Sequence, residues 1–211
     1  MSSNYKIDRI NLISYKTQKR KELFDLRCRY LAKSRIVNCN AKNKNFYYVN
    51  WRGSQFTKVK FCKTKFFGCD FIGTRFNSCC FEDVLFEECT FVACTFRNCT
   101  VKGTVFRGTA IVNTTIPLDM EMDKCEMFST YPQETIDYDL YIALESLRDN
   151  YSLRKNKILF LGDNKYNGLN IYLLQRRFGN KRLAPLLLAL GNISTKSITT
   201  YKKLERTLKG L

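Results

Sequence analysis

From Phe46 to Ile116 every fifth residue is apolar: Phe46, Trp51, Phe56, Phe61, Phe66, Phe71, Phe76, Phe81, Phe86, Phe91, Phe96, Val101, Phe106, Ile111 and Ile116. A period of five fits neither a helix, which repeats at 3.6, nor a strand, which repeats at 2, so the chain must bend at fixed intervals. A second register lies two residues earlier and holds small or β-branched residues, Lys44 excepted: Val49, Ser54, Val59, Thr64, Cys69, Thr74, Cys79, Val84 and onward to Thr114. Residues two apart on an extended segment share a side. Each quintet therefore sends one large and one small side chain inward, and its other three residues, such as Asn77, Ser78 and Arg97, face out or turn the corner. Self-similarity at a fixed period marks a stacked repeat.

Written out, the quintets read CDFIG, TRFNS, CCFED, CTFVA and CTFRN. They resemble the pentapeptide-repeat family, whose motif is a small residue, a polar residue, Leu or Phe, then two variable positions. The resemblance covers 34–117 when Ser34, Ile36, Cys39 and Ala41 are counted as weaker early quintets. It implies a mainly β fold, a right-handed quadrilateral β-helix with four quintets per coil. About four coils would then lie ~4.8 Å apart, the spacing of paired strands. The motif is specific for fold and says far less about function.

On either side the pattern changes. Residues 1–33 form a candidate N-terminal cap. There Leu23, Phe24, Leu26, Tyr30 and Leu31 among many basic residues predict an amphipathic helix over Tyr15 to Lys33, with a first coil centred on Leu26 and Leu31 as the alternative. A solenoid needs a cap to cover the open disc at its end. The spacing breaks after Ile116, and two prolines bracket an acidic stretch, so 118–132 reads as a linker. Beyond it, 133–211 reads as a helical C-terminal domain. Glu134 to Asn150 carries Ile136, Leu140, Ala143, Leu144 and Leu147 on one stripe. Tyr166 to Phe178, Ala184 to Leu190 and Thr195 to Lys209 are further helices, and Lys157 to Leu161 is strand or helix.

If each coil holds four quintets, positions sharing a remainder on division by twenty share a face. The face of Phe56, Phe76 and Phe96 then displays Lys58, Arg75 and Arg97 among Gln55, Thr57, Asn77 and Asn98, with no acid. The face of Phe61 and Phe81 mixes Lys60, Lys63 and Lys102 with Glu82 and Asp83. The face of Phe71 and Phe91 shows Ile72, Val92 and Val112, and that of Phe66 and Phe86 shows Tyr47, Tyr48, Phe67, Leu85 and Val105. A contiguous apolar patch marks a contact, either with the chain's own helices or with a partner, a homodimer included.

Charge sharpens this picture. The chain carries 36 Lys and Arg against 19 Asp and Glu, a formal charge of +17, concentrated in its first two thirds. Such a field favours anionic partners, nucleic acid or an acidic protein, or simply keeps a surface solvated. No apolar run is long enough to span a bilayer, since the longest is Leu183 to Leu190, and the N-terminus lacks a signal-peptide core, which places the chain in the cytoplasm. Six of the ten cysteines, Cys39, Cys69, Cys79, Cys89, Cys94 and Cys99, fall in the inward small register, where a thiol acts as a small hydrophobe. Cys79 and Cys99 would stack at a separation compatible with a disulfide, a bond that a reducing cytosol opposes.

The absence of histidine removes the imidazole base, the Ser-His and Cys-His pairs and histidine metal sites. The carboxylates Glu82, Asp83, Glu87 and Glu88 sit on outward positions with no implied cleft, and GDNKYNG (162–168) lacks the Lys-Ser/Thr ending of a phosphate loop. The expectation is a non-catalytic interaction scaffold without cofactor or metal, binding a protein or anionic partner. Two alternatives stand beside it. Some members of the family protect DNA gyrase by imitating duplex DNA, which requires an acidic exterior, whereas 34–117 carries twelve basic and five acidic residues. Direct nucleic-acid binding would use the overall charge and stacking on Tyr47 and Tyr48. Arg182 to Leu208 also resembles a helix-turn-helix, with Leu187 at the position that wants a small residue and a turn one residue too long.

Overall fold

A computed structural model describes residues 9–15, 19–133, 135–162 and 165–211. Residues 1–8 and 16–18 of the N-terminal segment, Glu134 at the expected start of the first helix, and residues 163 and 164 of the glycine-flanked loop lie outside the described residues. The chain divides into two compact units, Met1–Thr130 and Tyr131–Leu211.

The first unit is a β-solenoid of about six turns. Its four parallel sheets are the four walls of a rod. Wall A stacks Asn11–Ile13, Arg35–Val37, Gln55–Thr57, Arg75–Asn77 and Thr95–Arg97. Wall B stacks Asn40–Lys42, Lys60–Cys62, Cys80–Glu82 and Thr100–Lys102. Wall C runs from Leu26–Arg27 through Asn45–Tyr47, Lys65–Phe67, Leu85–Glu87 and Val105–Arg107 to Glu121–Asp123. Wall D comprises Asp70–Ile72, Thr90–Val92, Ala110–Val112 and Glu126–Phe128.

Apart from Leu26–Arg27 each strand of the walls is three residues long, and from Asn45–Tyr47 to Thr95–Arg97 its middle residue is a large inward phenylalanine. The rings form columns: Phe66 and Phe86 are stacked at 4.8 Å, as are Phe86 and Phe106, and Phe71 lies 4.5 Å from Phe91. Phe71, Phe76, Phe81 and Phe86, on four successive walls, are all fully buried. The small register binds turn to turn. Thr64, Cys69, Thr74, Cys79, Cys89, Cys94 and Thr109 each donate to the carbonyl oxygen of the residue 23 positions earlier. That explains why most positions of the register carry a hydroxyl or a thiol rather than alanine.

The corner is made by the second residue after each centre, which adopts left-handed φ. Lys58, Lys63, Ser78, Asp83, Glu88, Ala93 and Asn98 all fall between 48° and 53°. L-residues pay about 1–2 kcal/mol for this region, so a rod built on such corners depends on its aromatic interior to offset them. Glycine takes the corner at Gly73 and Gly103.

At the N-terminal end the alternative expectation, a first coil centred on Leu26 and Leu31, is the one that forms, and the C-terminal end of the rod departs from the expected boundary. In place of a helix over Tyr15 to Lys33, the described residues form early turns: Leu26–Arg27 pairs with Phe46–Tyr47, and isolated bridges join Glu22 to Asn40 and Tyr30 to Asn50. Leu26 and Leu31 continue the five-residue series into the core, and Leu23 is buried beside them. Burial against the first turn overrides helix propensity there.

The solenoid also continues into the stretch expected to be a linker. Glu121–Asp123 pairs with Val105–Arg107, and Glu126–Phe128 with Ala110–Val112. Glu121 lies opposite Val105, a separation of 16, whereas Val105 lies opposite Leu85, a separation of 20. The last turn is thus four residues short and passes walls A and B without a strand. This deletion hides the register from the sequence. It also leaves Phe96, Cys99 and Val101 only partly buried at the rod's end, where Met120 packs into the core.

The second unit has its own core. Helix α1 (Tyr138–Ser146) buries Leu140, Ala143 and Leu144, with Asp137 accepting from the Leu140 N–H at 2.9 Å as its cap. Helix α2 (Tyr151–Lys155) is followed by a hairpin of Phe160–Gly162 with Lys165–Tyr166, which settles Lys157 to Leu161 as largely non-helical. Helices α3 (Gly168–Phe178), α4 (Asn180–Leu190) and α5 (Tyr201–Lys209) complete it. Among the described residues no helix is long and apolar enough to cross a membrane.

Candidate interaction surface

Quintet geometry decides what each wall displays, because the residues flanking every inward ring face out. On wall A, Arg75 lies in register with Gln55 and Thr95, and Arg97 with Asn77. Arg35, paired with Gln55 from the other side, occupies the same column as Arg75 two strands away, about 10 Å at ordinary strand spacing. Lys58 stands at the corner that follows Gln55–Thr57. All four cations are exposed, and every other outward residue of the wall between Arg35 and Asn98 is uncharged. Among the described residues none of the four takes part in an ion pair.

Walls B and C carry acids among their bases. On wall B, Glu82 faces Lys102 across the ladder, and Lys60 faces Cys80. On wall C, Lys65 pairs with Glu87 at 2.6 Å and Arg107 with Asp123 at 2.9 Å.

The apolar residues singled out from sequence are only partly brought together. Ile72, Val92 and Val112 do form one column on wall D, continued by Phe128. Val92 and Val112 are buried at 1% and 0%, so the column is no open apolar strip. Leu85 and Val105 are neighbours in one column of wall C, whereas Phe67 sits in the other column beside Tyr47. Phe67 packs edge-on to Tyr48 at 5.6 Å and lies under the Lys65 ammonium at 5.4 Å. Tyr47 carries the Arg27 guanidinium at 5.5 Å, so these rings are engaged rather than free platforms for bases.

Sequence reasoning overlooked Arg35 as a member of wall A. Its signal was present, because it stands one residue before Ile36, as Arg75 stands before Phe76. Arg20 was overlooked as well. It donates to the Lys58 carbonyl at 3.4 Å and borders a cleft of about 590 Å³ with Tyr15, Asn38, Thr57 and Lys58. No spacing rule reaches Arg20, which lies in the irregular first turn.

The helix-turn-helix reading does not survive. Gly191 opens a ten-residue connector, 191–200, and α5 starts only at Tyr201, so Ser197, Thr199 and Thr200 precede the helix instead of lining it. Thr200 caps α5, accepting from the Lys203 N–H, and Ile198 is buried in the core of the unit. Nearby, Glu205 is nearly buried and takes Lys202 at 2.7 Å, Lys209 at 2.5 Å and Arg177 at 3.3 Å. Burial pushes its carboxyl up, but the hydrogen bonds from Lys202 and Lys209 prevail and hold it below the usual carboxylate range. Glu145 joins Arg148 and the Tyr166 hydroxyl in a second structural cluster.

Residues 69–108 match the family model described as pentapeptide repeats, in eight copies. No curated protein matches the chain. Solved structures with a similar fold include a pentapeptide repeat protein, Rfr23, from the cyanobacterium Cyanothece 51142. It is 11% identical with a TM-score of 0.26, over 46% of this chain and 59% of that one. The chain thus spans less than two thirds of the length of Rfr23. Two trypsin-treated variants of QnrB1, a plasmid-mediated fluoroquinolone resistance protein, are also similar. One is 12% identical with a TM-score of 0.22, over 57% of this chain and 87% of that one. The other is 10% identical with a TM-score of 0.28, over 52% and 91%. With eight matched copies inside a rod whose four walls all repeat the same quintet, residues 69–108 of the chain are pentapeptide repeats.

Proposed function

We propose that the chain is a non-catalytic interaction scaffold whose wall A engages an anionic macromolecular partner. The observation that carries this reading is the set of four exposed cations, Arg35, Lys58, Arg75 and Arg97, on a wall without an outward acid. Parallel ladders hold the strands beneath Arg35, Lys58 and Arg75 on both sides and the strand of Arg97 on one, so the charges are displayed at fixed spacing and binding costs little backbone ordering. An excess of +17 steers an anionic partner from a distance, and the unneutralised wall supplies the landing place. Imitation of duplex DNA toward a gyrase would call for the opposite charge.

The test is purification of the tagged chain from its native cell, with and without nuclease, in three forms. These are the wild type, a Lys58→Glu, Arg75→Glu, Arg97→Glu triple variant, and a Lys60→Glu, Lys63→Glu, Lys102→Glu triple variant of wall B. The reading expects the partner to be lost from the wall A variant and retained by the wall B variant, which has the same net charge. Sensitivity to nuclease assigns the partner as nucleic acid, and insensitivity as an acidic protein. Equal recovery by both variants would refute a role for wall A.

A further inference from the structure

Inside the rod, under the corner that joins walls A and B, Cys79 and Cys99 stack on adjacent turns. The strands before and after them pair in register, Phe76 with Phe96 and Cys80 with Thr100, and the Thr100 N–H donates to the Cys79 carbonyl at 3.0 Å. Paired strands ~4.8 Å apart place the two Cα atoms inside the roughly 4.4–6.8 Å span that a disulfide accepts. A second pair, Cys69 and Cys89, is stacked in the same way between walls C and D.

Access separates the two pairs. Cys69 and Cys89 are buried, whereas Cys99 is half-buried because the shortened last turn lays no further strand over wall B. Charge separates them as well. The hydrogen bond from the Cys79 thiol outweighs burial and holds the Cys99 thiol down to about 7. That same bond, reinforced by burial, pushes Cys79 far up, while burial foremost pushes Cys89 well above the thiol range. The thiolate is the reactive form, so half-buried Cys99 is the accessible nucleophile and Cys79 the resolving thiol beneath it.

We propose that Cys99 and Cys79 form a redox modification site, in which a hydroperoxide oxidises Cys99 and Cys79 closes the product into a disulfide between turns. In the first step the Cys99 thiolate attacks one peroxide oxygen. An S–O bond forms, the O–O bond breaks, and the departing hydroxide or alkoxide takes up a proton. In the second step the Cys79 sulfur attacks the Cys99 sulfenic acid. The S–S bond forms, the S–O bond breaks, and hydroxide leaves with the Cys79 proton as water. Two electrons pass from the sulfur pair to the peroxide, and a thiol reductant reverses the bond by exchange. The product staples together the last two strand layers of walls A and B.

The experiment treats the full-length folded chain with hydrogen peroxide at neutral pH. Trypsin, which cuts after Arg97, and a glutamate-specific protease, which cuts after Glu82, then separate the two cysteines for mass spectrometry. The expected product joins the Cys79 and Cys99 peptides with loss of two hydrogens, is released by dithiothreitol, and leaves Cys69, Cys89 and Cys94 unmodified. Cys79→Ser should fold, since Ser34 and Ser54 occupy the same register. In that variant a sulfenic acid accumulates on Cys99 and is trapped by dimedone. The proposal is overturned if Cys69 and Cys89 oxidise as fast as Cys99. It is equally overturned if the cross-link persists in Cys79→Ser through Cys80, or if wild-type Cys99 stops at the sulfenic acid.

Discussion

The Thr64 hydroxyl donates to the carbonyl oxygen of Ala41 at 2.6 Å, across one full turn of the rod. Both residues are buried, so the bond is shielded from water and fixes the height of one turn on the next. Cysteines make the same bond at longer range, 3.4 Å from Cys79 to the Phe56 carbonyl. Hydroxyls and thiols in this register are therefore interchangeable in role but unequal in strength.

Replacing Thr64 with Val keeps the shape and removes the donor. The loss is about 1 kcal/mol, the ordinary net worth of such a bond, and Thr64→Cys should lose less. Denaturant unfolding followed by the fluorescence of Trp51, the single tryptophan and itself buried in the rod, reads the solenoid separately from the helical unit.

Phe86 is stacked between Phe66 and Phe106 and fully buried, so Phe86→Ala should cost about 3–5 kcal/mol. Phe96 ends its column at the short last turn and is only partly buried, so Phe96→Ala should cost clearly less. The same fluorescence assay ranks the two, and equal losses would mean that the end of the rod is covered.

Gly73 turns its corner at a φ of 61°, and an added Cβ would meet nothing within 4 Å. Gly73→Ala therefore isolates the backbone penalty of left-handed φ, about 1–2 kcal/mol, without a clash. Ala93→Gly, at the equivalent corner one turn further on, should change stability in the opposite direction or leave it unaltered, since the added chain entropy of glycine offsets part of the gain.

In the helical unit Glu205 is held below the usual carboxylate range in the folded state. A depressed folded pKa contributes stability that is present above the unfolded value, about 4.3 for Glu, and is lost as the pH falls through the folded value. Thermal melts of the helical signal should therefore drop below about pH 4.3. Glu205→Gln should lower stability at neutral pH and flatten that acid limb.

Much of the rod was legible because its signal is redundant. Phe56, Phe76 and Phe96 announce the period, and Ser54, Thr74 and Cys94 announce the inward pair, so the wall assignment of Arg75 and Arg97 followed by counting. The ends were not legible, because counting fails wherever the turn length changes. Asn11 pairs with Arg35 across 24 residues and Glu121 with Val105 across 16, so neither falls on the series. The left-handed corners were hidden for a different reason. Lys58, Lys63 and Glu88 are poor formers of that conformation, and only the closure of the turn imposes it on them. Burial of Val92 and Val112 is likewise a property of the folded chain rather than of the repeat.

The claim at the centre of this account is that the cations of wall A, rather than net charge alone, bind the partner. A salt titration of binding to a duplex oligonucleotide and to polyglutamate measures it directly, using the wild type, Lys58→Gln with Arg75→Gln and Arg97→Gln, and Lys60→Gln with Lys63→Gln and Lys102→Gln. The account predicts that on DNA the wall A variant loses about 0.9 per cation removed from the slope of log affinity against log salt, while the wall B variant keeps the wild-type slope. Identical losses in the two variants would reduce the binding to the adhesion of any strongly basic protein and contradict the account.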